Sequence, residues 1–202
     1  MDEGIQVIKL GGSLLDMPGL VPRFEAYRQA EICERALLVV GGGRLADAVR
    51  QFDLLHGLGP ERGHWMAVRA MQVNAHMVAG VLTSAVAVDD ARECNGAWNM
   101  DKLAIMDPLV WLVREVQNGI TVPHRWSFTS DSIAAHVATQ LGAARLTLLK
   151  STSPEQCNDL QSLAEQGIVD EDFPVAAAKL PLVETVNLRV QPWTRCEWRS
   201  PA

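Results

Sequence analysis

Lys9 stands just before a glycine pair, in Val7-Ile8-Lys9-Leu10-Gly11-Gly12-Ser13. An apolar run that ends in glycines reads as a buried strand entering a tight turn. With no Cβ in the way, backbone N–H groups can approach an anion there. A lysine inside such a strand needs an anionic partner or an open strand end, because burying its charge alone is costly. At the turn, its ammonium could bridge the oxygens of a phosphoryl group in transfer. A second turn of this kind follows in Leu38-Val39-Val40-Gly41-Gly42-Gly43. It opens a helix near Arg44, and helix N-termini attract anions through unsatisfied N–H groups and the macrodipole. Arg44 either grips an acceptor phosphate or carboxylate or is a solvated helix residue. Two such cradles, about one strand–helix unit apart, suit holding a phosphate donor against an anionic acceptor.

Further candidates lie downstream. Thr129-Ser130-Asp131-Ser132 reads first as a helix start, with a serine or aspartate capping the next N–H groups. The functional reading gives Asp131 the task of orienting nearby lysines by ion pairing. Lys150 ends the apolar run Leu146–Leu149, as Lys9 nearly ends its own, and parallel strands bring their C-terminal ends to one edge. Ser151 follows it. Lys179, after Ala176-Ala177-Ala178, is another possible cation. His64-Trp65-Met66-Ala67 and His124-Arg125-Trp126 could line a substrate pocket, although Trp and Met on helices are more often core. Asp47, Asp53 and His56 read as a solvated helix face. Gly41 to Ala46 also fits a GxGxxA dinucleotide fingerprint, but the acidic residue expected about 20 positions on is not evident. Walker A, GxSxG and HExxH patterns are absent, and no metal-ligand set is read.

The elements that must position these residues alternate. Strands are expected over Ile5–Leu10, Ala36–Val40, Leu146–Leu149 and Thr185–Val190. Helices are expected from Pro18, from Arg44 through Leu55, over Glu61–Val86 with Gly80 as a bend or break, from Asp107-Pro108, from Thr129 through Leu141, and from about Ser151 to Gln166. The stretch from Asp89 to Lys102 reads as polar and irregular, and Asn118-Gly119 as a turn. Alternating strands and helices imply a doubly wound, mainly parallel α/β sheet with helices on both faces.

Among the 202 residues, 48% are hydrophobic and 21% charged, with a net charge of −6. That is an ordinary soluble composition without the basic surface a general nucleic-acid binder needs. No apolar run is long enough to span a bilayer, and the acidic Met1-Asp2-Glu3 start has no signal-peptide character. Cys33, Cys94, Cys157 and Cys196 show no paired spacing, so reduced thiols in a cytoplasm are expected.

Taken in order, the Lys9–Ser13 segment, the Val39–Gly43 segment and Ser130-Asp131-Ser132-Ile133-Ala134 before the Leu146–Leu149 strand resemble the amino acid kinase family over roughly residues 5–150. Gly43-Arg44-Leu45-Ala46-Asp47, His64–Ala67, Trp126 and Thr129–Ser132 resemble a short, archaeal-type branch linked to C1 carriers of the methanofuran and tetrahydromethanopterin type. The resemblance implies a three-layer αβα sandwich of the carbamate kinase-like type in one domain. Its acceptor half would span about 1–125 and a shortened nucleotide half about 126–202. It implies a cytoplasmic, ATP-dependent phosphotransferase with Mg²⁺, acting on a small anionic molecule, a phosphate monoester in the branch's case, with a homo-oligomer by analogy. By the same resemblance Lys9, Asp131 and Lys150 are catalytic. Gly11, Gly12, Ser13, Lys150, Ser151 and Lys179 hold the nucleotide. Gly41, Gly42, Gly43, Arg44, His64, Trp126 and Ser130 hold the acceptor. The usual Thr-Asp…Asp-Gly-Val stretch after the third strand is replaced here by Leu149-Lys150-Ser151-Thr152-Ser153-Pro154, and the downstream Gly-Gly-Met…Lys segment is not recognisable. These departures keep a second expectation open, a non-catalytic descendant that binds a nucleotide or oxyanion. A nicotinamide-cofactor enzyme, through the GxGxxA match, is the third.

Overall fold

A computed structural model describes residues 4–155 and 159–199. Its centre is a seven-stranded sheet in the order β3-β4-β2-β1-β5-β6-β7. The strands are β1 (Gln6–Leu10), β2 (Ala36–Val40), β3 (Ala85–Val88), β4 (Leu103–Met106), β5 (Arg145–Lys150), β6 (Leu182–Asn187) and β7 (Thr194–Arg199). All pairings are parallel except β6 with β7. The helices are α1 (Leu20–Glu31), α2 (Gly43–His56), α3 (Pro60–Val81), α4 (Ala91–Trp98), α5 (Pro108–Gln117), α6 (Ser130–Gln140), α7 (Leu160–Glu165) and α8 (Phe173–Ala176).

Side-chain alternation along the strands divides the core in two. Val7, Leu37, Val39, Leu146 and Leu148 face one layer, where Leu112 of α5, Ile133 of α6 and Phe173 of α8 pack. Ile8, Leu10, Leu38, Val40 and Leu149 face the other, against Phe24 and Tyr27 of α1 and Ala75 and Val78 of α3. The result is the expected αβα sandwich. Small side chains make α6 the helix that can press closest to the sheet: Ala134, Ala135 and Ala138 are buried on it. Its larger anchor, Ile133, contributes about 2 kcal/mol by burial.

Several elements differ from expectation. The third helix ends at Val81, because Leu82 turns to an extended backbone and the chain enters β3. The polar 89–102 stretch contains α4, started by Asp90, whose side chain accepts from the N–H groups of Arg92 and Glu93. The segment after Lys150 is helical only over Leu160–Glu165. Helix α2 lies on the outside of α3 and buries none of its side chains fully, so Phe52, Leu54 and Leu55 stay exposed. Cys196 is disulfide-bonded, against the expectation of reduced thiols. Disulfides follow spatial proximity rather than sequence spacing, and the cysteine argument for a cytoplasmic location loses its premise here. Cys157 and Met1-Asp2-Glu3 lie outside the described residues. Among those described, no helix is long and apolar enough to cross a membrane.

Candidate active site

The two glycine turns meet because β1 and β2 are parallel neighbours in register, Leu10 opposite Val40. Each turn extends the sheet by one bond: Gly11 N–H donates to Leu149 O and Gly41 N–H to Leu10 O, both at 2.9 Å. Beyond that the chains touch backbone to backbone. A Cβ on Gly12 would lie 2.3 Å from Gly43 N, and one on Gly41 would lie 2.7 Å from Gly12 N. Gly43 also takes a φ of +48°, a region that L side chains rarely adopt. Close approach therefore demands these glycines, and neither turn is an ordinary loop. Both open into helical turns, Gly12–Leu14 and α2, whose first N–H groups have no partner inside the helix. Buried Asn74 on α3 donates from Nδ2 to Gly41 O and Gly42 O, at 2.8 Å each, and fastens the second turn from behind.

Register explains the lysines. Lys9 pairs with Leu148 on β5, and Lys150, two residues on, shares its face. Both ammonium groups point into the α6 layer, at the helix's first turn. Asp131 Oδ1 accepts from Lys9 Nζ at 2.9 Å and from Lys150 Nζ at 2.7 Å. All three residues are buried. Burial alone would push the Asp131 carboxyl up; the ammonium groups of Lys150 and Lys9 overcome it and hold it at about 2. Burial pushes Lys150 down to about 8, against the pull of Asp131. One carboxylate thus contacts both cations, and the two ammonium groups follow strands that end at the glycine edge, where a phosphoryl group can be met by fixed charge.

Asp131 is held in place by a residue that sequence reading missed. The sequence reads as capped by a serine or aspartate of this segment, whereas the N-cap position is Thr129, whose side chain makes no cap bond. Asp170, in the loop between α7 and α8, does so instead. It accepts from Thr129 N–H at 3.1 Å, Thr129 Oγ1 at 2.8 Å and Ser132 N–H at 3.0 Å, and also from the Ser132 hydroxyl. Burial, then repulsion from Asp131, raises its carboxyl above the ordinary value. No local motif marks Asp170, because a cap donated across 38 residues leaves no spacing signal. Asp170→Ala is expected to lower unfolding free energy by about 1–3 kcal/mol, since it strands buried donors. Urea denaturation checks this, and an unchanged midpoint would remove the capping role.

In front of the glycines lies a cleft of about 260 Å³. Ala46 and Arg50 of α2, His64 and Met71 of α3, Trp126, and Ser130 at the start of α6 are among its walls. Trp126 lies flat on α3 because residue 63 is glycine: a Cβ there would stand 2.8 Å from the indole ring. Its Nε1 donates to Asp53 at 2.7 Å, and the Arg50 guanidinium sits over the ring, 5.1 Å from its centroid. Arg125 is fixed by a bidentate pair with Asp172, 2.7 Å on each arm. His64 is buried and stacked on His124 with ring centroids 5.3 Å apart. Burial and then the His124 charge lower it to about 4, so it is neutral at pH 7.

Most residues singled out from sequence therefore converge. Lys9, Asp131 and Lys150 form one cluster, and Gly11, Gly12, Gly41, Gly42 and Gly43 form one floor. Ser13 and Ser151 are joined hydroxyl to hydroxyl at 2.9 Å. His64, Trp126 and Ser130 line the cleft. Two residues stand apart. Arg44 is outside the cleft wall, exposed and paired with Asp16 at 2.7 Å. Lys179 is exposed just before β6 begins, at the opposite edge of the sheet from Lys150, because β5 and β6 are parallel. Besides Asp170, sequence reading missed Asp47 and Arg50 as cleft residues. Their positions, one and two turns beyond Gly43 on one helix face, were the available signal.

A model of the amino acid kinase family matches residues 4–153. The chain is 23% identical over 185 residues to the [5-(aminomethyl)furan-3-yl]methyl phosphate kinase of Methanocaldococcus jannaschii, covering 85% of this chain and 82% of that protein. Among solved structures, the UMP kinase of Ureaplasma parvum superimposes with a TM-score of 0.65 at 15% identity, over 98% of this chain and 100% of the other. The uridylate kinase of Archaeoglobus fulgidus superimposes with a TM-score of 0.59 at 18% identity, over 89% and 88%.

Proposed function

The chain belongs to the amino acid kinase family, and from that premise we propose that it is a small-molecule kinase that transfers the γ-phosphoryl group of ATP to a small phosphate monoester. The observation that carries this reading is the Lys9–Asp131–Lys150 cluster at the mouth of two facing glycine turns. The acceptor would lie in the cleft with its phosphate on the Gly42 and Gly43 turn, and the donor phosphates on the Gly11 and Gly12 turn. Ser151 and Ser13, linked to each other, stand on the donor side. One acceptor oxygen attacks the γ-phosphorus, the bond from that phosphorus to the bridging oxygen breaks, and ADP leaves with the electron pair. A phosphate monoester is already an anion, so no general base is required. Catalysis rests on alignment and on the two ammonium groups that meet the transferring charge.

No group of three or more His, Cys, Asp or Glu residues suited to a metal occurs among the described residues. Mg²⁺ typically keeps several waters and binds substrate phosphates, so the ion fits as a companion of the nucleotide and would neutralise its phosphate charge there. The M. jannaschii relative's name points to [5-(aminomethyl)furan-3-yl]methyl phosphate as the acceptor to try first, and the resemblance to the C1-carrier branch makes such a pathway the proposed setting.

The test is phosphoryl transfer from γ-labelled ATP to that ester and to UMP, followed across pH. Turnover is expected with at least one acceptor. The rate should fall as pH rises through about 8, where Lys150 gives up its proton. Stability should run the other way over that interval, because the unfolded chain, whose lysine keeps its ordinary value, then binds more protons. Nucleotide binding without transfer to any phosphate ester would favour the non-catalytic descendant instead.

A further inference from the structure

We propose that Arg189 grips the phosphate chain of the donor behind the transferring group; this rests on the kinase reading above. Strands β1, β5 and β6 are parallel neighbours, so their C-terminal ends share one edge, where open parallel sheets take their ligands. Gly11 leaves β1 there, Ser151 leaves β5, and Leu188-Arg189 leave β6. The three exits are bound to one another. Leu188 N–H donates to Lys150 O at 3.0 Å, and the Ser13 and Ser151 hydroxyls meet at 2.9 Å. Arg189 closes the set: its Nη2 donates to Ser13 O at 3.3 Å. Because β5 lies between β1 and β6, that reach carries the guanidinium across the end of β5, on the donor side of the site.

The side chain is anchored, yet most of its fork is open. A guanidinium has five N–H donors, and here the described side-chain bond is to a carbonyl. Among the described residues no carboxylate pairs with it, whereas Arg44, Arg125 and Arg195 each hold one. Arg189 is exposed, so its remaining N–H groups can reach a ligand. The backbone that carries it is fixed on both sides. Buried Asn187 accepts from Arg189 N–H at 2.9 Å and donates to Ser153 Oγ at 3.2 Å. Arg23 Nη1 donates to Leu188 O at 3.2 Å. A held fork without a carboxylate suits phosphate oxygens, which it can take two at a time. Lys9 and Lys150 already share Asp131, and Lys179 stands at the far edge of the sheet. Arg189 is placed for the phosphates behind the transferring one.

The experiment is calorimetry on the full chain, wild type and Arg189→Gln, with ATP–Mg²⁺ and inorganic tripolyphosphate as probes and steady-state kinetics in parallel. Arg189→Gln is expected to weaken both probes about 10- to 100-fold, the range for charge-assisted contacts, and to raise KM for ATP by a similar factor. KM for the acceptor ester and the urea midpoint should stay near their wild-type values. Arg189→Lys, which keeps the charge without the fork, should fall between the two. Unchanged affinity for both probes overturns the proposal, as does a wild type that binds neither. Equal rises in both KM values overturn it too, because Arg189 would then only brace Ser13. Turnover separates this assignment from the kinase reading. Arg189-dependent binding of tripolyphosphate without transfer keeps the assignment and removes the kinase; transfer with an unaltered KM for ATP does the reverse.

Discussion

Lys9→Met is expected to lower kcat by about 10³-fold, the scale at which a group aimed at transition-state charge is lost, while the protein still folds. Methionine keeps most of the volume and fits a strand whose residues are all buried. Asp131 keeps one partner, Lys150 at 2.7 Å, so no carboxylate is left alone. KM for the acceptor should change far less than kcat, because the glycine floor and the cleft walls are untouched. Steady-state kinetics with the phosphate ester, together with a denaturation midpoint, checks both halves. A kcat within tenfold of the wild type would show that Lys9 does not face the reacting phosphate.

Asp131→Ala is the opposite experiment, with its largest effect on the fold. It leaves two buried ammonium groups side by side with no carboxylate in contact, and only the more distant Asp170 charge acting on Lys150. Removing one partner of a buried pair costs about 3–5 kcal/mol, and here two pairs go at once. The pH dependence identifies the cause. The Asp131 carboxyl is held at about 2 against its ordinary 3.8. Its contribution to stability is therefore present above the ordinary value and is lost as pH falls through about 2. Wild-type unfolding free energy should drop over that acid interval, and the variant should lack this component. Urea titrations between neutral pH and pH 2 measure it. A variant with the wild-type acid slope would mean that Asp131 is not the carboxylate that balances the lysines.

Both predictions concern residues that sequence alone placed well, and the reason is local. A lysine in an apolar strand, glycines at the strand end and a Ser-Asp-Ser helix start each carry a signal within a few positions. Strands β2 and β5 were equally legible, since buried parallel strands read as unbroken apolar runs, whereas the four-residue β4 was too short to be read. Shorter and more polar elements were not. Strand β3 continues an apolar stretch that already had helical spacing in α3, so periodicity could not mark the break at Leu82. Helix α4 has only eight residues, too few for a periodic pattern to stand out. Lys179 read as another possible cation, but its side of the sheet depends on the direction of β6.

The sequence by itself determined the chemistry available: two glycine turns, two lysines, one aspartate and an αβα chain order to carry them. Backbone sterics and hydrophobic patterning act over a few residues and can be read in one dimension. Tertiary structure alone decided which groups meet. Register between β1 and β5 set both ammonium groups on one carboxylate, and a loop 38 residues away supplied the cap that holds it. Glycine at position 63 let Trp126 close over the cleft. The packing of α2 on α3 made Asp47, which reads from sequence as part of a solvated face, a wall of the cleft together with Arg50. Contacts of that kind depend on distance in space, for which position along the chain holds no signal.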